Sequence, residues 1–235
     1  MNLLDIVVLF VILLFILNGL YRGFLPSLLN LCGFFVSWVA SFLLYPVLSA
    51  RLMRSGFFSS LKFYIEGAER IGTGEAFELS KLSVQDISPQ MLNNILDNAS
   101  LPPPYDKAVA YNVSNRVYAD KGIETLGDYF NETIFNVIMN IFSFLIIFIC
   151  LMVVLNLLTN AFSFAVKLPE LRHFDMLTGA LTAVIRSFFF LFVMFTAIPV
   201  ILVLLPVSFV TDMVNSSVAC SIFYSGSIIL GFIAV

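Results

Sequence analysis

Long runs of this chain carry almost no polar positions, and short polar stretches separate them. Leu3–Leu20 and Phe24–Tyr45 are almost wholly apolar, the second ended by Pro46. A third run begins near Thr133 and reaches Val166. A fourth lies between Asp175 and Leu205, ended by Pro206. A membrane-crossing helix needs about 20 mainly apolar residues, so each of these runs is long enough. The third is longer than one crossing requires and must tilt or project. A fifth apolar run, Val218–Val235, is rich in Ser and Gly and either spans, lies in the interface or packs on the bundle. Only helices and closed barrels satisfy backbone polar groups in lipid, and barrel strands alternate, which these runs do not. The pattern predicts an all-α polytopic membrane protein with four transmembrane helices, the fifth segment undecided, and a long extramembrane loop.

This divides the chain into a helical hairpin over 1–46, an extramembrane segment over 47–132, a second helix pair over 133–207 and an apolar C-terminal segment over 208–235. Val47–Glu132 carries eight Lys/Arg and eleven Asp/Glu. Within it, Ser60–Ile71 and Ser88–Ala99 read as short amphipathic helices, Ser88 being a good N-cap with Pro89 at the first helical position. "LPPPYD" (Leu101–Asp106) reads as a breaker; it also matches the P-P-x-Y pattern read by WW domains, but a linker is the favoured use. Four N-x-S/T sequons, at Asn98, Asn112, Asn131 and Asn215, are close to chance for this composition.

Composition agrees with the pattern. Of 235 residues, 60% are hydrophobic and 11% charged, with 26 phenylalanines and a mean hydropathy of +1.00. A soluble domain carries about 25% charged residues. The net charge of -3 says little about partners, and no basic run suggests nucleic acid. The N-terminus lacks a positive n-region and an A-x-A-like site, so it reads as a retained anchor.

Arg22 is the only basic residue among the first 50 and sits between Gly19 and Gly23. It marks the turn of the first hairpin. The two glycines let the backbone reverse or the helices close up, and Pro26 fits the first turn of the next helix. Lys167 and Arg172, with Glu170 between them, occupy the loop between the third and fourth runs. The positive-inside rule places both short loops in the cytoplasm, although Arg51, Arg54 and Lys62 beside the second run argue the other way.

Small residues recur every four positions at Gly33, Ser37 and Ser41, and again at Gly179, Ala183 and Ser187, with Asp175 opening that face. Such rows let another helix approach closely, and the two are expected to pack helices, each other being one candidate pairing. The third run carries Asn136, Asn140 and Ser143, then Asn156, Asn160 and Ser163; the helical period leaves these as two separate polar patches. Asp175 and Arg186 stand about 16 Å apart along a helix, too far to pair directly. Each needs a partner elsewhere, or the segment between them lies in the interface. Asp5 is placed to accept hydrogen bonds from backbone N–H groups at the first helix start.

Catalytic chemistry has no footing in the sequence. No G-x-S-x-G, H-E-x-x-H or P-loop occurs, and the G-x-G in Ile71–Glu78 lacks its third glycine. Cys32, Cys150 and Cys220 lie singly in apolar stretches, and His173 is the only histidine. Neither catalytic residues nor a metal or cofactor site is expected.

"LLD" at Leu3–Asp5, the Gly-x-x-Arg-Gly-Phe turn at Gly19–Phe24 and "SLLNLCGFF" at Ser27–Phe35 resemble the colicin V production protein (CvpA) family. That family tends to open its last helix with Asp-Arg-x-x-Gly-x-x-x-Gly-x-x-Arg-Gly. Here the stretch is "DMLTGALTAVIRS" from Asp175 to Ser187, with Asp175, Gly179 and Arg186 at matching spacings and Met176, Ala183 and Ser187 departing. The two patches cover roughly Met1–Ala50 and Leu168–Leu205. The resemblance implies a four-helix bacterial inner-membrane protein linked to colicin-type toxin production or export and to envelope maintenance. The expected function is a non-catalytic accessory or scaffold in lipid, self-associating or binding other membrane proteins. The alternative is a small transporter or channel subunit whose polar path uses Asp175, Arg186 and the asparagines of the third helix.

Overall fold

The computed structural model describes residues 2–62, 65, 67–71, 76–99, 101–165, 174–205 and 207–233. The first helix, α1, is Leu3–Arg22 and α2 is Phe24–Met53. Short helices come next: α3 at Gly56–Leu61, α4 at Ala76–Lys81, α5 at Pro89–Asn98 and α6 at Tyr105–Ser114. The longest helix, α7, runs over Leu126–Ala165 and α8 over Asp175–Phe195. Four brief helices close the chain: α9 (Ile198–Leu204), α10 (Ser208–Asn215), α11 (Val218–Phe223) and α12 (Ile228–Ile233). No strand occurs among the described residues. Four segments are long and apolar enough to cross a membrane: Leu3–Arg22, Phe24–Met53, Leu126–Phe162 and Asp175–Leu204.

Three boundaries differ from the sequence pattern. Helix α2 continues through Pro46 to Met53. A proline removes one backbone hydrogen bond without ending a helix when side-chain contacts hold the next turn in place; here the fully buried Ser49 hydroxyl donates to Asn140 Oδ1 at 2.7 Å. The fourth run is interrupted at Thr196–Ala197, before α9. Pro199 would clash with the carbonyl of Phe195, and α8 ends at that residue. The C-terminal run breaks into α11 and α12 around Tyr224–Ser227, so no continuous helix crosses there. Pro206 and the 166–173 connection, including Lys167, Glu170, Arg172 and His173, lie outside the described residues.

The chain forms two compact units. One comprises Met1–Pro46, Ser143–Ala197 and Ser208–Ser227; the other comprises Val47–Phe142, Ile198–Val207 and Ile228–Val235. In the first, apolar side chains face outward. Leu3, Phe10, Leu17, Leu157 and Leu181 are each more than half exposed, while Ser27, Ser37, Ser41 and Ser187 are buried. That inversion suits a lipid solvent, where hydrocarbon outside is free and polar groups must be satisfied inside. Phe34 is the aromatic centre, its ring 5.3 Å from Phe148 edge-on and 6.5 Å from Phe189.

The second unit has an ordinary apolar core. Ile71, Val109, Leu126 and Phe130 are fully enclosed, with Val84, Leu92 and Tyr129 around them. Ser88 caps α5 by accepting from the Met91 N–H at 3.2 Å, as its position before Pro89 predicts. Tyr105 is fully buried, so the P-P-x-Y pattern is not displayed. The helix expected over Ser60–Ile71 is not continuous: α3 ends at Leu61 and a 3-10 turn occupies Gly67–Arg70. Asn131 holds that turn by accepting the Ala68 N–H at 3.0 Å, and Gly67 leaves room for it: a Cβ there would lie 2.8 Å from Ile134 Cδ1. Buried Asn112 donates to Tyr118 Oη and Thr133 Oγ1, both at 3.0 Å.

Glu132 joins two lysines in this unit. Its carboxylate lies 2.5 Å from Lys62 Nζ and 3.1 Å from Lys121 Nζ, with the glutamate side chain only 12% exposed. Hydrogen bonds to charged groups contribute about 1.5–3 kcal/mol each when shielded, less where the partner is half exposed. Glu132→Gln is expected to cost about 1–3 kcal/mol and to lower the thermal unfolding midpoint in detergent, while the exposed Asp120→Asn leaves it unchanged. Equal midpoints for both variants would show that the triad contributes nothing.

Candidate functional site

Gly19, Gly23, Asp175, Gly179 and Ala183, singled out in the first and last spans, converge at one end of the first unit. Helix α1 packs most extensively against α8. At the crossing the backbones nearly touch. A Cβ placed on Gly19 would lie 2.5 Å from the Gly179 carbonyl oxygen and 2.6 Å from Ala183 Cβ. One placed on Gly179 would lie 2.5 Å from the Gly19 oxygen and 2.6 Å from the Gly23 carbonyl carbon. No side chain larger than hydrogen fits at either position without moving a backbone.

Gly23 alone separates α1 from α2. Its φ of 77° lies in the left-handed region, and its N–H closes α1 by donating to the Gly19 oxygen at 3.1 Å. The next N–H, at Phe24, begins α2 and has no partner within its own helix. Asp175 Oδ1 accepts it at 3.0 Å. Asp175 Oδ2 occupies the space a Cβ on Gly23 would need. The first residue of α8 thus caps the second helix of the hairpin from outside, a charge-assisted bond aimed at a helix N-terminus.

The two arginines take different partners. Arg22 Nη1 donates to Asn160 Oδ1 on α7. The Arg186 guanidinium lies over the Phe15 ring of α1, 4.8 Å from its centroid. Asp175 and Arg186 therefore each bind α1 or its turn and do not bind each other. Helix α8 is continuous between them.

The two small-residue rows do not face each other. Gly179 and Ala183 meet α1, whereas the space beside Gly33 is filled by Leu155 of α7, whose Cβ would stand 3.5 Å away. Ser37 donates to the Gly33 oxygen at 2.8 Å and Ser41 to the Ser37 oxygen at 2.6 Å. Ser187 is fully buried and donates to the Val184 oxygen at 2.7 Å. These hydroxyls are small polar groups satisfied by their own helices.

Asp5 lies at the far end of α1. It accepts the Asn2 N–H at 3.0 Å while Asn2 Oδ1 accepts from Leu4 and Asp5, a reciprocal capping box. Its other oxygen accepts the Ser217 hydroxyl at 2.7 Å and the Ala219 N–H at 3.0 Å. The tie to Ser217 was not legible in the sequence, since nothing in a serine 212 positions away marks a carboxylate's partner. In the third span, Asn136 donates to Tyr118 Oη and Asn140 to the Ile233 oxygen, at 3.0 and 3.2 Å, while Asn160 receives Arg22. Among the described residues no three His, Cys, Asp or Glu side chains gather where a metal ion could bind.

Fold and seam together define a class: a polytopic helical membrane protein whose first hairpin is clasped by a carboxylate at the start of its fourth span. The chain belongs to the colicin V production protein family, whose model matches residues 4–80 and 114–229. The match extends well beyond the two patches that carry the resemblance and includes every residue of the seam. Neither curated proteins nor solved structures give a match.

Gly19→Val and Gly179→Val are each expected to destabilise the protein by about 1–3 kcal/mol, because the added methyls meet backbone rather than a movable side chain. Gly231, with no atom within 4 Å of a built Cβ, serves as the control. Thermal unfolding in detergent should show both valine variants lowered and Gly231→Ala unchanged or raised; tolerance of valine at both seam positions would refute the close approach.

Proposed function

We propose that this protein is a non-catalytic accessory or scaffold of the inner membrane, acting in colicin V-type toxin production or export, or in envelope maintenance. The observation that carries this reading is how the membrane-embedded polar groups are used. Asp175 caps a backbone N–H, Arg186 covers an aromatic ring, and Ser37, Ser41 and Ser187 bond carbonyls of their own helices. Groups already occupied in this way are ill placed to pass a solute. Family membership supplies the biological setting and leaves the chemistry open.

In this reading the partners are lipid and other membrane proteins, including further copies of the chain. The Arg22 turn and the 166–173 connection face the cytoplasm, in keeping with the positive charge of the short loops. The alternative is a transporter subunit in which Arg186 and the α7 asparagines line a path.

The two readings separate in one pair of assays. Toxin secretion from a strain lacking this protein should return with the wild-type chain and fail with Gly179→Val. Proteoliposomes of the same wild-type protein should show no ion or solute flux above empty vesicles. Saturable flux that Arg186→Gln abolishes without loss of assembly would replace the scaffold reading with transport.

A further inference from the structure

The first unit has an uneven charge distribution. Among the described residues its basic side chains are Arg22, at the α1–α2 turn, and Arg186, on α8. Its far end carries Asp5 and Asp212 and no basic residue. At the basic end Asp175 is the one carboxylate among the described residues, and its Oδ1 is already taken by the Phe24 N–H.

Arg22 and Arg186 are both half-buried. Among the described residues neither lies within 4.0 Å of a carboxylate; the ion pairs there are those of Glu132. Arg22 gives one N–H to a neutral amide oxygen and Arg186 gives its face to Phe15. A guanidinium has five N–H donors, so among the described residues most of this donor capacity finds no acceptor. The helices are antiparallel at the seam, where late α1 residues meet early α8 residues. Helical side chains lean toward their own N-terminus. Arg22 therefore leans back along α1 and Arg186 leans toward the start of α8, so that they approach one another. Phe15, which the Arg186 guanidinium covers, stands seven residues before Arg22 and so on the same face of α1. Two like charges held this way in a low-dielectric setting call for an anion between them.

The surroundings indicate what carries that anion. The outward faces of α1 and α8 are apolar, with Leu17, Leu181 and Ile185 exposed. A ligand with a phosphate head and hydrocarbon chains satisfies both features, whereas a free ion satisfies one. We propose that Arg22 and Arg186 together hold the phosphate of a membrane phospholipid, with its acyl chains along the apolar outward faces of α1 and α8. Phosphatidylglycerol fits better than phosphatidylethanolamine, whose amine would add a third positive charge to the site. The proposal stands whether or not the accessory role holds.

The test uses the full-length protein purified in detergent, with phosphatidylglycerol, phosphatidylethanolamine or inorganic phosphate added in turn. Phosphatidylglycerol should raise the thermal midpoint of the wild type, and native mass spectrometry should retain the lipid. Arg22→Gln and Arg186→Gln should each lose the shift and retain about tenfold less lipid; Arg51→Gln, at an exposed position elsewhere, should behave as wild type. If Arg186→Gln is not monodisperse, Arg22→Gln and Arg22→Lys carry the comparison, lysine keeping the charge without the planar fork. An equal shift with inorganic phosphate would overturn the lipid assignment. No shift with phosphatidylglycerol, or an equal shift in the arginine variants, would overturn the site.

Discussion

The fold of the first unit depends on one close approach, the contact of bare backbone between α1 and α8 at Gly19 and Gly179. In hydrocarbon the hydrophobic effect gives helices no reason to associate, so packing and polar contacts must hold them. Here both act within one turn of helix. The glycines bring the backbones together, and that proximity delivers Asp175 to the first free N–H of α2. The two contacts adjoin: Gly179 meets the Gly23 carbonyl, and Asp175 Oδ2 fills the space left by the absent side chain of Gly23. The chain can then reverse through a single residue, because Gly23 adopts a positive φ and the N–H exposed by the reversal finds a carboxylate.

The same constraint explains the distribution of polar residues. Every backbone or hydroxyl group that enters the membrane needs a partner inside the protein. Ser37, Ser41, Thr182 and Ser187 are buried and bond carbonyls of their own helices, while leucines and phenylalanines face outward. The second unit obeys the opposite rule, with Ile71, Leu126 and Phe130 enclosed and its charges outside or paired through Glu132. Helix α7 supplies residues to both units. Its early residues belong to an apolar core and its later ones, such as Val154 and Leu157, are exposed. That change of environment is why a 40-residue helix exceeds one crossing.

Much of the architecture was legible in the sequence because hydropathy and helix length are local properties. The four spans, the Arg22 turn and the Ser88 cap needed no knowledge of distant contacts. The boundaries at Pro46 and Phe195 were less accessible. Proline weakens a helix at both places, and distant residues, such as Asn140 against Ser49, help decide whether it continues. Within the seam, the spacing of Asp175, Gly179 and Ala183 exposed a packing face. It could not say that α1, and not the Gly33 face of α2, would meet it. The pairings of Asp5 with Ser217 and of Arg22 with Asn160 join residues far apart in sequence, where periodicity carries no signal.

The Phe24 amide reports the central contact directly. Its hydrogen exchange can be monitored in the detergent-solubilised protein, alongside amides in the middle of α2 as internal references. Slow exchange in the wild type, accelerated to the rate of an uncapped first-turn amide in Asp175→Ala while mid-α2 amides stay protected, is the result expected of a carboxylate clasp. Unchanged protection of Phe24 in that variant would mean that something other than Asp175 holds the turn, and the clasp would have to be abandoned.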